Sequence, residues 1–272
     1  MKNRRRNTLF FIILAGTALC SVTLAGGLLY EGAAAADFAQ KNLPPCPTHP
    51  FGTDWMGRDM LRRTLAGLSL SVRVGGLTAA VSAAAALVLG GAAAAFGGWV
   101  DALISWITDL VMGIPHILLI ILISIACGRG LWGVTIGVAL SHWTSLARLI
   151  RGEVLQLKGA PYLQLARRLG VSRRRLVKNH LLPHLMPQFL TGLILQFPHA
   201  ILHEASVTFL GFGLSPEQPA IGIILAESMG YLTTGRWWLA LFPGLSLVGA
   251  VMLFALAGER LRLLLSPATA QD

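Results

Sequence analysis

The sequence predicts an all-α integral membrane protein with six transmembrane helices. Three observations carry this. The 272 residues are 54% hydrophobic and only 12% charged, with a mean hydropathy of +0.66; a soluble fold of this size needs a far more polar surface. Six stretches of 18 or more residues contain no Asp, Glu, Lys or Arg. A bilayer core of ~30 Å takes about 20 apolar residues as helix, and backbone groups in lipid must be bonded internally. The basic residues also segregate: with the N-terminus inside, 15 of the 22 Lys and Arg fall on the inner side and 7 on the outer. That bias puts both termini in the cytoplasm. The net charge of +10 therefore reads as topology, and nucleic acid is not an expected partner.

The elements follow in order. Residues 1–30 are a basic cytoplasmic tip and a first span, Asn7–Tyr30. Its apolar run of 24 residues exceeds the ~7–15 of a signal-peptide core, so a retained helix is expected despite the small residues Ala33–Ala36. Residues 31–73 form an outer loop, irregular at first because Pro44, Pro45, Pro47 and Pro50 crowd together. Met60–Leu68 reads as a short helix leading to the membrane. The core runs over 74–267. Its second span, 74–97, is rich in Ala and Gly, which lets helices approach closely in lipid. Gly97, Gly98 and Asp101 mark a tight inner turn. The third span, 102–126, carries Asp109 and Pro115. The fourth is 131–149, the fifth 187–207 and the sixth 237–258. Gly211–Gly235 is read as an outer segment, and 268–272 as a tail. Cys46 and Cys127 both fall near the outer face, with nothing to pair them, and no cysteine has metal-type spacing.

The inner loop, 150–186, lies within a stretch from Arg148 to Met186 that holds nine basic residues and one acid. Tyr162, Leu163, Leu165, Ala166 and Leu169 recur at helical spacing. Pro161 suits a first turn, Gly170 ends the helix, and Ser172 caps a second one running to about Leu182. Pro183 and Pro187 close the segment. A helix–Gly–helix with one apolar and one basic face either lies on anionic headgroups or docks a soluble partner. Periodicity leaves both open.

Resemblance favours docking. Gln164-Leu165-Ala166-x3-Gly170, followed by Leu181-Leu182-Pro183, resembles the EAA loop of ABC-importer permeases, with Gln164 where that family has Glu and Leu165 where it has Ala. Gly52-Thr53-Asp54-x2-Gly57-Arg58-Asp59 is similar to the outer-loop motif of the dipeptide/oligopeptide/nickel permeases. Glu204-Ala205-x2-Thr208-Phe209-Leu210-Gly211-Phe212-Gly213 and Trp238-Leu239-Ala240-Leu241-Phe242-Pro243-Gly244 resemble the same subfamily. So does the ending Gly258-Glu259-x2-Arg262 with Ser266-Pro267, although Glu259 and Ser266 stand where Asp is usual and Ile221 where Trp is frequent. The resemblance implies a type I ABC-importer permease fold in a bacterial inner membrane. It implies a second permease subunit, two ATP-binding subunits and an extracytoplasmic substrate-binding protein as partners. It further implies coupling to the ATPase through Tyr162, Gln164, Leu165, Ala166, Gly170, Arg173, Arg174 and Pro183.

No Gly-x4-Gly-Lys-Ser/Thr loop occurs, so ATP–Mg belongs to the partners. No catalytic residue and no cofactor of this chain are expected. His203-Glu204 lacks the second His of a zinc-protease helix, since position 207 is Val. Asp54, Arg58 and Asp59 are expected to pair locally and cap the following helix rather than touch substrate. His142, His199, His203 and Glu204 are placed on the pore or substrate path, because polar residues in lipid face a pore or a partner helix. His116 follows Pro115 in the third span. These histidines bond between helices, or His142, His199 and His203 hold nickel transiently; no metal site is assigned. Nickel, a metal chelate or a short peptide is the expected cargo, with a peptide-only importer as the alternative and an autonomous channel as the reading from another class.

Overall fold

The computed structural model describes residues 2–265, apart from the side chains of residues 2–5, 167, 173 and 174. The tail 268–272 and the Ser266-Pro267 ending lie outside the described residues. Every regular element is a helix; a lone bridge between Thr53 and Asp59 is the β pairing among the described residues.

The chain enters as α1 (Lys2–Leu28) and a single turn, α2 (Tyr30–Ala33). The outer segment follows, with a short 3-10 turn at Phe38–Gln40. From Met60 the chain is helical without a break to Phe96, as α3. The short lead-in helix and the second span are thus one element of 37 residues, and helix already begins within residues 31–73. Asp59 starts it by accepting from the Arg62 amide, the usual use of an Asp N-cap. Gly97, at φ +66°, ends it.

The third span differs most from expectation. It is two helices, α4 (Gly98–Gly113) and α5 (His116–Ala126), bent by 101°. The cause is Pro115. A proline pushes the residue before it out of the helical region, and Ile114 is extended at φ −90°, ψ 135°.

α6 (Gly130–Gly159) is the expected fourth span, continued well past Arg148. The inner loop holds α7 (Pro161–Arg168), α8 (Arg173–Leu176) and a wide π turn, Val177–Leu181. That turn leads straight into α9 (Leu182–Phe209). Pro183 and Pro187 therefore do not close the segment. Pro183 occupies the first turn of α9, where its missing N–H costs little, and the π turn relaxes the ladder just before it. Within the expected outer segment 211–235 the structure places another helix, α10 (Ile221–Leu232). It is too short to span and buries Ile221 and Ile224. α11 (Trp238–Leu265) completes the chain.

α3 is the central helix and packs against α1, α6 and α9, while α11 closes against α1, α9 and α10. The small residues Ala79, Ala83, Ala86, Ala93 and Ala94 of α3 are buried, as expected of an inner helix. Outward, α1 and α11 expose Phe10, Ile13, Leu24, Leu245, Val248 and Met252, a surface that suits lipid and would aggregate in water. Among the described residues, four helices are long and apolar enough to cross a membrane, and five if the bent α4–α5 pair counts as one span. α6 is not among them. Its charge-free half ends at Ala147, and Arg148, Arg151, Glu153 and Lys158 follow.

Candidate functional site

Three places bring the singled-out residues together. The first is the outer loop. Asp54 is 3% exposed. Its Oδ1 accepts the Met56 and Arg58 amides at 2.8 and 2.9 Å. Its Oδ2 accepts from Arg58 Nε at 2.6 Å and Arg63 Nη1 at 2.7 Å. Both arginines also donate to Glu227 Oε2 of α10, at 3.1 and 3.0 Å. Gly57 makes the tight turn, at φ +78°. The Thr53 hydroxyl donates to the Gln40 carbonyl, and the Gly52 carbonyl accepts the Met60 amide at 3.0 Å. Asp59, besides capping α3, lies 2.7 Å from His49 Nδ1. The motif is a self-satisfied corner tying the outer loop to α3 and α10.

The second place is α7. Leu163 is 1% exposed and packs on Leu157 and Leu176, with Ala166, Val171 and Leu181 around them. This anchors the loop to the end of α6. Gln164 Nε2 donates to the Gly159 carbonyl at 3.2 Å, holding the α6–α7 corner. Gly170, at φ +81°, supplies the left-handed residue that turns the chain toward α8. The apolar residues of the loop thus divide: Leu163 and Ala166 face inward, whereas Tyr162, Leu165 and Leu169 are 50, 58 and 74% exposed. The three outward residues sit at i, i+3 and i+7, one stripe of a helix.

The third place is a cavity of about 620 Å³ where α4, α5, α6 and α9 meet, walled by Met112, His116, His142, Gln196, His199 and His203 among others. Three histidines from three helices converge there. His116 Nε2 lies 3.2 Å from His142 Nδ1, and the ring centroids of His116, His142 and His203 stand 4.5–5.0 Å apart. Backbone proximity makes this feasible. A Cβ on Gly137 of α6 would sit 2.9 Å from the Ile120 carbonyl oxygen of α5, and one on Gly133 would sit 2.7 Å from that of Ser124. Glycines four apart let two helices touch along their backbones, and Pro115 sets His116 at the head of the helix so held.

With this geometry in view, comparison with known proteins is decisive. Residues 86–271 match the family described as the binding-protein-dependent transport system inner membrane component. The chain belongs to that family. It is similar to the dipeptide transport system permease protein of Bacillus subtilis (strain 168), at 31% identity over 84% of this chain and 71% of that one. It is similar to the oligopeptide transport system permease protein of the same organism, at 31% over 85% and 77%. The glutathione transport system permease protein of Escherichia coli O1:K1 / APEC is 32% identical over 95% and 84%. The chain is a multi-pass permease of an ABC importer of the peptide family and not itself an enzyme. It works within a transporter complex.

Some expected residues of the permease land elsewhere than foreseen. Glu204 does not line the cavity. It is fully buried, accepting from Ser71 of α3 at 2.6 Å and from Thr208 at 3.0 Å, so it ties α9 to α3. His199 lines the cavity, but His116, not His199, completes the close trio. Glu227 had no signal in any motif, since its arginine partners are 164 and 169 residues away. The side chains of Arg173 and Arg174 lie outside the described residues. Cys46 and Cys127 are both free thiols.

Proposed function

We propose that this permease forms half of the pore of an importer for short peptides and is driven through α7. It sits in the bacterial inner membrane with both termini in the cytoplasm. A second permease subunit completes the pore, two ATP-binding subunits dock from inside, and a substrate-binding protein delivers cargo from outside. ATP–Mg is held by the ATP-binding partners. Peptide is favoured as cargo because the relatives above carry dipeptides, oligopeptides and glutathione by name; those names lend nickel no support.

The observation that carries the reading is the outward stripe of Tyr162, Leu165 and Leu169 on a helix whose other face is anchored by Leu163. A rigidly held short helix with an unpartnered apolar face fits a groove on a soluble subunit. Closure of the ATP-bound partners moves that helix, and α9, continuous with the loop through the π turn, carries the displacement to the cavity wall. The chain performs no covalent step. It shifts the population between two pore states according to how differently each state binds ATP-loaded partners and loaded receptor.

Gly170→Pro tests this, because proline fixes φ near −65° where the loop requires a positive φ. Charge reversal across Arg173–Arg175 tests the basic face. Uptake of labelled dipeptide into cells bearing the full transporter is expected to fall by about a hundredfold, corresponding to ~2–3 kcal/mol of lost coupling, while membrane insertion is retained. Undiminished uptake in both variants contradicts the reading.

A further inference from the structure

We propose that His116, His142 and His203 form a binding site for a divalent transition-metal ion, with one coordination position open to the cavity. The inference does not depend on which cargo the permease carries.

One ring nitrogen from each histidine lies within 4.8 Å of the other two. Imidazole nitrogens bind zinc at about 2.0–2.1 Å, which sets them about 3.3 Å apart around a tetrahedral ion. The rings of His116 and His142 already stand side by side, with His116 Nε2 3.2 Å from His142 Nδ1. An ion at the centre would draw the three nitrogens, all within 4.8 Å of one another, in to that separation. Packing alone explains the arrangement poorly. A hydrogen bond joins His116 to His142, but His203 has only ring contacts with the two among the described residues. An ion at the centre would engage all three.

The surroundings match a metal site in two further ways. His142 Nδ1 lies 3.0 Å from the Val138 carbonyl oxygen. A ligating histidine characteristically donates its other ring N–H to such a carbonyl, which fixes the tautomer and leaves the second nitrogen free to coordinate. Gln196, 9% exposed, lines the same cavity; its Oε1 is buried without a hydrogen-bond partner among the described residues. An orphaned buried acceptor calls for a donor, and a water or amine on the ion's open position supplies one. No Asp, Glu, Lys or Arg is among the residues lining the cavity. Three neutral imidazoles leave the ion's charge uncompensated, so the fourth position favours hydroxide, an anionic oxygen ligand that still carries an O–H to donate. Imidazole donors suit zinc, nickel, cobalt and copper rather than magnesium or calcium.

The test uses the complete transporter, purified into lipid nanodiscs and titrated with Co²⁺ in the absence of cargo. A single Co²⁺ per copy of this chain is expected, with the intense visible absorption of four-coordinate cobalt, displaced by added Zn²⁺. His142→Ala and His203→Gln are expected to abolish the band, and His199→Ala to keep it. Should the variants fail to assemble, X-ray absorption at the cobalt edge of the unmodified complex decides, with three imidazoles expected around the ion. Absence of the band in the unmodified complex, a band that survives in His142→Ala and His203→Gln, or fewer than two imidazoles at the cobalt overturns the proposal. The trio is then a polar contact among helices.

Discussion

At the residue scale the outer corner is densely bonded, with Asp54, Arg58, Arg63 and Glu227 in one network. Asp54 and Arg63 are 3 and 2% exposed, so each meets the other's charge with little water to screen it. Removing one partner of a buried pair leaves an uncompensated charge, at a cost of about 3 kcal/mol or more. Arg58 still holds Asp54 Oδ2 when Arg63 is removed, so Arg63→Ala is expected to lose about 2 kcal/mol, read as a lower thermal unfolding midpoint of the purified complex. The Glu227 side chain is 28% exposed and shares its arginines with Asp54. Glu227→Gln is expected to cost about 1 kcal/mol or less. Equal losses in the two variants would contradict this ranking. The Asp54–Arg58 pairing was legible from a separation of four residues across a glycine turn. The reach of Glu227 was not, because nothing local encodes a contact made through tertiary packing.

At the element scale, length and charge-free runs located the helices but not their breaks. Residues 110–128 are a charge-free run, and hydropathy counts Pro115 as harmless. The backbone does not, and the 101° bend follows from its effect on Ile114. Pro183 and Pro187 raised the opposite error: they read as stops, yet Pro183 sits in the first turn of α9 just after the π turn, and Pro187 lies inside the same helix. α10 was hidden among Gly and Pro residues although Ile221 and Ile224 are fully buried. The signal that could have placed α5 against α6 is Gly133-x3-Gly137. A side chain at 137 must displace the Ile120 backbone, whereas one at Gly91 meets open space. Gly137→Leu is therefore expected to cost about 3 kcal/mol by overpacking, and Gly91→Leu about 0.5 kcal/mol or less. The yield of detergent-stable, monodisperse complex measures both; similar yields would mean that the two helices do not touch there.

At the scale of the whole molecule, composition and the positive-inside bias conveyed the class, and the separated motifs conveyed the family. The cavity was only partly legible. His142, His199 and His203 stood out as polar residues in apolar runs, but which of them converge depends on helix rotation, and His116 enters only because Pro115 turns the chain. The loop was legible as an amphipathic helix, whereas the division of its apolar residues into an anchor and an outward stripe needed the fold. That division yields the central claim, that α7 transmits ATP hydrolysis to the pore. Leu165 is 58% exposed, so Leu165→Glu should leave stability within about 0.5 kcal/mol while placing a charge in the apolar contact proposed with the ATP-binding partner. The most direct measurement is ATP-dependent uptake of labelled dipeptide into proteoliposomes holding the complete transporter, with and without Leu165→Glu. Uptake that requires ATP and falls by about tenfold or more in the variant, with the chain still inserted, is the predicted result. Uptake that is indifferent to ATP, or equal in the two preparations, would contradict it.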